Sequence, residues 1–320
     1  MRGRGGFRGR RAVRLLLAVG AAMVGTGGCG RPVLTLEDGV AVNDWRQVEL
    51  TAHVEHQLFG LLRTSVSNVP VRFFSGDNQL GEARTDEDGS ATIRCDVGEL
   101  GDSGFSASAA VFGASLNGRG RLFEMNDERV ALIVDVDHTI ARTDYRALLF
   151  SPLDRKSQPI PGSREVLWKL AEHFNIVYLT GRPRVMQAKT RAWLAENDYP
   201  PGPLVVAPAI RKAADNGKFK LQVLSHLRTK WPNLLIGVGD RPSDARAYGA
   251  NEMLALVIAP HEIEEIGTHA LLMPDWKAVN TFFEANHDAL TDPTTVRELV
   301  AGRRPVLFTM TPYSAVADSD

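Results

Sequence analysis

The chain has 320 residues, 44% hydrophobic and 23% charged, with 37 Lys and Arg against 38 Asp and Glu and a formal net charge of −1. That length leaves room for two domains, and a near-neutral balance excludes bulk electrostatic attraction to nucleic acid. Two cysteines, Cys29 and Cys95, exclude a disulfide framework and a cysteine-based zinc cluster.

The first stretch, "MRGRGGFRGRRAVR", is rich in arginine and carries no acid, and "LLLAVGAAMVGT" follows it. These read as the basic and apolar regions of an export signal, with an apolar run too short for a membrane span. "TGGCG" comes next, placing Cys29 after small residues. This resembles a bacterial lipoprotein signal, although Thr26 stands where that signal usually has an apolar residue. The resemblance implies an exported protein held at a membrane by lipid on Cys29, in the periplasm or at the cell surface, with residues 1–29 as signal and anchor. The alternatives are an ordinary cleaved signal or a membrane-anchored stub with Cys29 incidental.

Residues 30–125 read as β structure. "RQVELTAHVEH", "VPVRFF", "ATIRCDV" and "GFSASAAVFGASL" are strand candidates, and "SGDN" and "TDEDG" are turns in which Gly76 and Gly89 can take positive φ. In "ATIRCDV", Ala91, Ile93 and Cys95 share one face, so Cys95 is expected as a small core residue. Asp77, Asp86 and Asp88 lack the ligand spacing of a calcium loop and read as solvated turn acids. The spacing predicts a sandwich of roughly seven strands. "VPVRFFSGDNQLGEARTDEDGSATI" resembles bacterial immunoglobulin-like modules of cell surfaces, which implies an immunoglobulin-like sandwich for this part.

From residue 126 the pattern changes to strands alternating with helices, over 126–290. "VALIV", "NIVYLT", "LVVA", "NLLIGVGD", "LALVI" and "LLM" are apolar strands; "PGSREVLWKLAEHF", with Ser163 as N-cap, "RVMQAKTRAWLAEND", "GKFKLQVLSHLRTKW", "SDARAYG" and "DWKAVNTFFEAN" are helices. The alternation predicts an α/β class, a Rossmann-like doubly wound parallel sheet. The last segment, 291–320, reads as a loosely structured tail with an acidic end.

In "ALIVDVDHT" two carboxylates end an apolar strand. Asp135, Asp137 and Thr139 are spaced so that in extended chain they project the same way. Alone this is an acidic turn or a site at the carboxyl end of a buried strand. Thr180 and Asp240, with Asp244, end two further strands, and Lys218 and Lys220 open a helix toward the same edge. Four acids with one hydroxyl and one cation need a counter-charge, and all-oxygen ligands suit Mg2+.

"DVDHT", "YLTGRP", "FK" and "GDRPSD", in this order, resemble the four motifs of the haloacid dehalogenase-like (HAD) phosphohydrolases. "YLTGRP…TRAWL…PPGPLVV…FKLQVLSHL…GDRPSDARAY" is similar to the catalytic domain of lipin-type phosphatidate phosphatases. The matching positions include Thr180, Thr190, Trp193, Leu194, Pro201, Gly202, Pro203, Lys220, Asp244 and Tyr248. His138 departs from the glycine of that family, and Asp240 from its usual asparagine. The resemblance implies Asp135 as nucleophile and Asp137 as general acid and base, its pKa raised by the neighbouring carboxylate. It implies Mg2+ held by Asp135, the Asp137 carbonyl, Asp240 and Asp244, with Thr180 and Lys220 on the phosphoryl oxygens. Lys218 is the rival for the lysine. Gly181 and Arg182 lie where substrate would bind, Arg182 either on a head group or as a solvated loop residue.

Three functions follow from this reading. The first is a Mg2+-dependent, membrane-tethered phosphatidate phosphatase releasing diacylglycerol and phosphate. The second is a phosphatase for soluble esters or for polynucleotide 3′-phosphate ends, though an exported near-neutral chain makes nucleic acid an unexpected partner. The third is a non-catalytic surface binding protein, against which the complete set of acids argues.

Overall fold

The computed structural model describes residues 30–42, 47–58, 62–100, 104–144, 157–208, 216–259 and 270–302. The signal-like leader with Cys29, and the acidic end of the chain, lie outside them. Among the described residues no helix is long and apolar enough to cross a membrane.

The first part is built of strands: β1 (Arg31–Leu36), β2 (Gly39–Val42), β3 (Gln47–Gln57), β4 (Arg63–Ser65), β5 (Pro70–Ser75), β6 (Asn78–Arg84), β7 (Ser90–Asp96), β8 (Phe105–Val111), β9 (Ala114–Gly120) and β10 (Leu122–Met125). Eight of them form two four-stranded antiparallel sheets. One has the order β6-β5-β8-β9, and in the other β3 pairs with β1, β4 and β7. Their facing sides bury Val48, Leu50, Val54, Val71, Phe73 and Phe105 in one core. The alternation read in "ATIRCDV" holds, since Ala91 and Cys95 are buried while Thr92, Arg94 and Asp96 are exposed.

A parallel sheet follows, made of β11 (Ala131–Asp135), β14 (Asn175–Pro183), β15 (Leu204–Ala207), β16 (Leu234–Gly239), β17 (Leu254–Ile258) and β18 (Ala270–Met273), with the two-residue strands β12 (Ala141–Arg142) and β13 (Gln158–Pro159) pairing beside it. Its order is β15-β14-β11-β16-β17-β18, all parallel. Successive residues of β11 go to opposite faces. Leu132 and Val134 join a core with Trp193, Trp276 and Phe282, while Ala131 and Ile133 join another with Phe219, Leu224 and Tyr248. Helices therefore cover both faces: α1 (Ser163–Ala171), α2 (Gln187–Glu196), α5 (Trp276–Ala285) and α7 (Pro293–Val300) on the first, α3 (Asn216–Lys230) and α4 (Pro242–Gly249) on the second, with the short α6 (His287–Thr291) after α5. This is why β16 and β17 are apolar throughout, and β11 up to Asp135. The order reverses between β11 and β16, so the chain leaves the carboxyl ends of these two strands in opposite directions and opens a crevice there.

The expected class, α/β with a doubly wound sheet behind an immunoglobulin-like sandwich, is corrected. Among the described residues strand exceeds helix, 43% against 30%, and the sheets are mostly antiparallel in the N-terminal part, with the parallel sheet following later. In addition, β2 and β10 pair with each other in parallel and deliver Val42 and Met125 into the core beside Ala131 and Phe219. The two parts thus share apolar packing. Two smaller differences concern caps. Gly162, at φ 80, takes the N-cap position of α1, and Ser163 lies inside the helix, donating to the Ile160 carbonyl and meeting the Tyr199 hydroxyl. Residues 293–300, expected as loose tail, are the helix α7. Asp292 caps it, accepting from the amides of Thr294 and Thr295, and Val296 is fully buried.

Candidate active site at the carboxyl end of the parallel sheet

Asp135 closes β11, Asp137 follows in the turn after it, Thr180 lies in β14, Asp240 follows β16, Asp244 sits in the first turn of α4, and Lys220 comes from α3. All but Asp240 are at least nine-tenths buried. Lys220 is the centre of the cluster. Its Nζ stands 2.8 Å from Asp135 Oδ1 and 2.7 Å from Asp244 Oδ1. Burial alone would lower its pKa, but the two carboxylates outweigh that and raise it. Of the two lysines left open by the sequence, Lys220 is in the site and Lys218 is exposed on α3. The other Asp135 oxygen accepts from Thr139 at 3.2 Å. Burial, with the charges of Asp244, Asp137 and Asp240, pushes the Asp135 carboxyl well up despite Lys220.

Asp137 is held differently. Arg182 Nε donates to Oδ1 at 2.9 Å, Thr143 to Oδ1 at 2.6 Å and Thr180 to Oδ2 at 3.1 Å. Burial raises the Asp137 carboxyl, but the Arg182 charge and these hydrogen bonds outweigh it and hold the group below the usual range. The expectation that a neighbouring carboxylate raises this pKa is therefore corrected: the Arg182 cation bonds Asp137 directly. Arg182, expected on a head group or in solvent, is 2% exposed and locked on Asp137. Spacing could have found it, because Thr180 and Arg182 are two apart in one extended strand. Thr143 has no such signal; it reaches Asp137 only because the chain turns back through Ala141. Gly181 lies half-buried between them in β14.

The turn after β11 has an unusual backbone at the histidine. His138 has φ 66, a left-handed conformation that glycine takes freely and a histidine takes under strain. Trp276 Nε1 donates to the Thr139 carbonyl and seals the turn from beneath. At α4, Asp244 Oδ2 accepts from the amides of Asp240 and Arg241, at 3.2 and 3.3 Å. Only glycine leaves room for this carboxylate at position 239, where a Cβ would stand 2.5 Å from Oδ2.

The residues fit a divalent cation. Carboxylate oxygens of Asp135, Asp240 and Asp244 lie within 4.8 Å of one another. Asp240 Oδ1 is buried and has no hydrogen-bond partner. Burial and the Asp244 charge raise the Asp240 carboxyl, so the cluster lacks positive charge even with Lys220 present. Such hard oxygen donors, close-set and partly unsatisfied, suit Mg2+.

Residues 132–255 match the family model described as PITM 1-3, LNS2 domain, a span that is well under half of the chain and holds every residue of this cluster. LNS2 is a phosphatase-type domain, and the match supports a lipin-like phosphatase. No curated protein matches. Among solved structures, the chain is similar to the apo β-glucuronidase of Ruminococcus gnavus at 8% identity and a TM-score of 0.30, covering 81% of this chain and 52% of that one. The same enzyme with uronic deoxynojirimycin gives 8% identity and a TM-score of 0.27, covering 81% and 51%. The chain spans about half the length of these structures, and at such scores the likeness says nothing about fold or activity here.

Proposed function

We propose that this chain is a Mg2+-dependent phosphomonoester hydrolase working through Asp135, with phosphatidate as substrate. The observation that carries the reading is the convergence of Asp135, Asp137, Thr180, Lys220, Asp240 and Asp244 at one end of the sheet, inside the LNS2-matching span. Asp135, Asp240 and Asp244, with the Asp137 carbonyl, would hold the ion, which supplies Lewis-acid charge to the phosphoryl oxygens and keeps Asp135 ionised.

An Asp135 oxygen attacks phosphorus, and the ester P–O bond breaks with its electron pair moving to the lipid oxygen. Asp137 gives that oxygen its proton, releasing diacylglycerol. Arg182 disfavours the protonated acid, but the arriving phosphoryl charge favours it, so proton uptake is tied to substrate binding. Water then attacks the phosphorus of the aspartyl-phosphate. Asp137 takes the water proton, the bond from Asp135 to phosphorus breaks, and phosphate leaves. Lys220 and Thr180 offset charge on the phosphoryl oxygens in both steps.

The test is phosphate release, with and without Mg2+, from phosphatidate in micelles, soluble sugar phosphates and nucleotides, and 3′-phosphorylated oligonucleotides. Metal-dependent release from phosphatidate is the expected result. Release from the soluble esters alone overturns the lipid substrate, and no release from any of them overturns the phosphatase.

A further inference from the structure

The β8–β9 hairpin turns through Phe112 and Gly113, at φ 49 and φ 78. A two-residue hairpin turn with both φ positive favours asparagine, aspartate and glycine. A bulky aromatic there is an outlier, and this one is also 77% exposed. Its ring meets the His56 imidazole edge-on, centroids 5.8 Å apart. Leu58, two residues beyond His56, is 39% exposed. Phe112 thus breaks a rule of its turn and a rule of the surface at once, and broken local rules without a folding return point to function.

The surroundings say what the tip meets. Gly30 stands so close to His56 that a Cβ on it would lie 2.5 Å from the ring. Arg31, exposed, and Pro32 are in register with Gln57 and His56. The 29 preceding residues, basic and then apolar in sequence, therefore join the fold beside Phe112 and Leu58. The catalytic end is close by. Glu55, next to His56, accepts from Arg184 at 3.1 Å, and Arg184 is two residues beyond the Arg182 that holds Asp137.

We propose that Phe112 and Leu58 form a bilayer-contact tip that seats the chain on a lipid surface, at the end where the leader joins the fold and the carboxylate cluster lies. Apolar tips of this kind gain free energy in proportion to the area they remove from water, and Arg31 offers a cation to an anionic lipid surface. The proposal deepens the lipid-phosphatase reading, resting on it for the substrate alone.

The test uses the full chain with Cys29→Ser, so that Cys95, buried, is the remaining native thiol. An environment-sensitive fluorophore is placed at Phe112→Cys, and in a second chain at Glu284→Cys, near the end of α5 away from the Trp276–Thr139 contact. With phosphatidylcholine–phosphatidate vesicles, emission from position 112 should shift to the blue and be quenched by brominated lipid, while position 284 stays aqueous. An aqueous label at 112 overturns the proposal, as does a blue shift that grows with protein concentration without vesicles, which would mean a second copy covers the tip. Phe112→Asn keeps the turn and supplies a residue it favours. It should raise Tm, lower turnover of vesicle phosphatidate about ten-fold, and spare a water-soluble phosphate ester. Undiminished turnover on vesicles overturns the tip. A parent chain with no phosphatase activity overturns the substrate reading, and the label positions still decide the tip.

Discussion

Asp135 combines a buried carboxyl pushed upward with a lysine 2.8 Å away, so its charge is both needed and strained. Asp135→Asn should lower phosphate release to about a thousandth or less while leaving Tm unchanged or higher, since a repelling buried charge is gone. A steady-state assay beside a thermal melt checks both. The two metal-side acids should separate cleanly. Asp244 already satisfies Lys220 and two backbone amides, whereas Asp240 Oδ1 has no hydrogen bond. Asp240→Ala should weaken Mg2+ binding more than Asp244→Ala, and Asp244→Ala should cost more stability, about 3 kcal/mol, by leaving Lys220 short of a partner in the interior. Calorimetric Mg2+ titration and urea unfolding give the two orders; a reversal in the titration exchanges the roles. His138 sits at φ 66, so His138→Gly should stabilise the chain by about 1 kcal/mol, read from the urea midpoint.

The connection from β14 into α2 links the antiparallel strands to the acid Asp137. Glu55 is 4% exposed between Arg63 and Arg184, while Arg191 and Gln187 of α2 bond Asp38 and the Leu36 carbonyl. Glu55→Gln should cost about 3 kcal/mol, because two largely buried guanidinium groups lose their counter-charge; chemical denaturation measures it. Much of this region could be read in advance, and much could not. The apolar runs that end in Asp135, Thr180 and Asp240 announced strand and chemistry together. Arg182 was named as a substrate contact but its bond to Asp137 was not foreseen, and Thr143 was missed because it reaches Asp137 only through the folded turn. The helix α7 carried readable signals in "DPTTV", a cap and a proline at the first turn, yet its polar composition looked like tail. The pairing of β2 with β10 leaves no periodic trace in strands of four residues.

At the scale of the molecule, the proposed anchor at Cys29 and the proposed lipid substrate can be tested together. If Cys29 is lipidated, Cys29→Ser should move the protein out of the membrane fraction and lower turnover of embedded phosphatidate while sparing a short-chain soluble analogue, as loss of a tether lowers effective concentration. Cell fractionation with both assays checks this, and a parent protein found soluble overturns the anchor. The shared core has a practical consequence for anyone cutting this gene. The span 132–255 holds every residue of the cluster, yet Val42 and Met125 lie against its inner face, and Trp276, Val279, Phe282 and Val296 cover the other. A fragment excised at the family boundaries would bare apolar surface on both sides of its sheet. It should collect in inclusion bodies, however complete its chemistry, so subcloning for assay or crystallisation has to keep the strands before it and the helices after it.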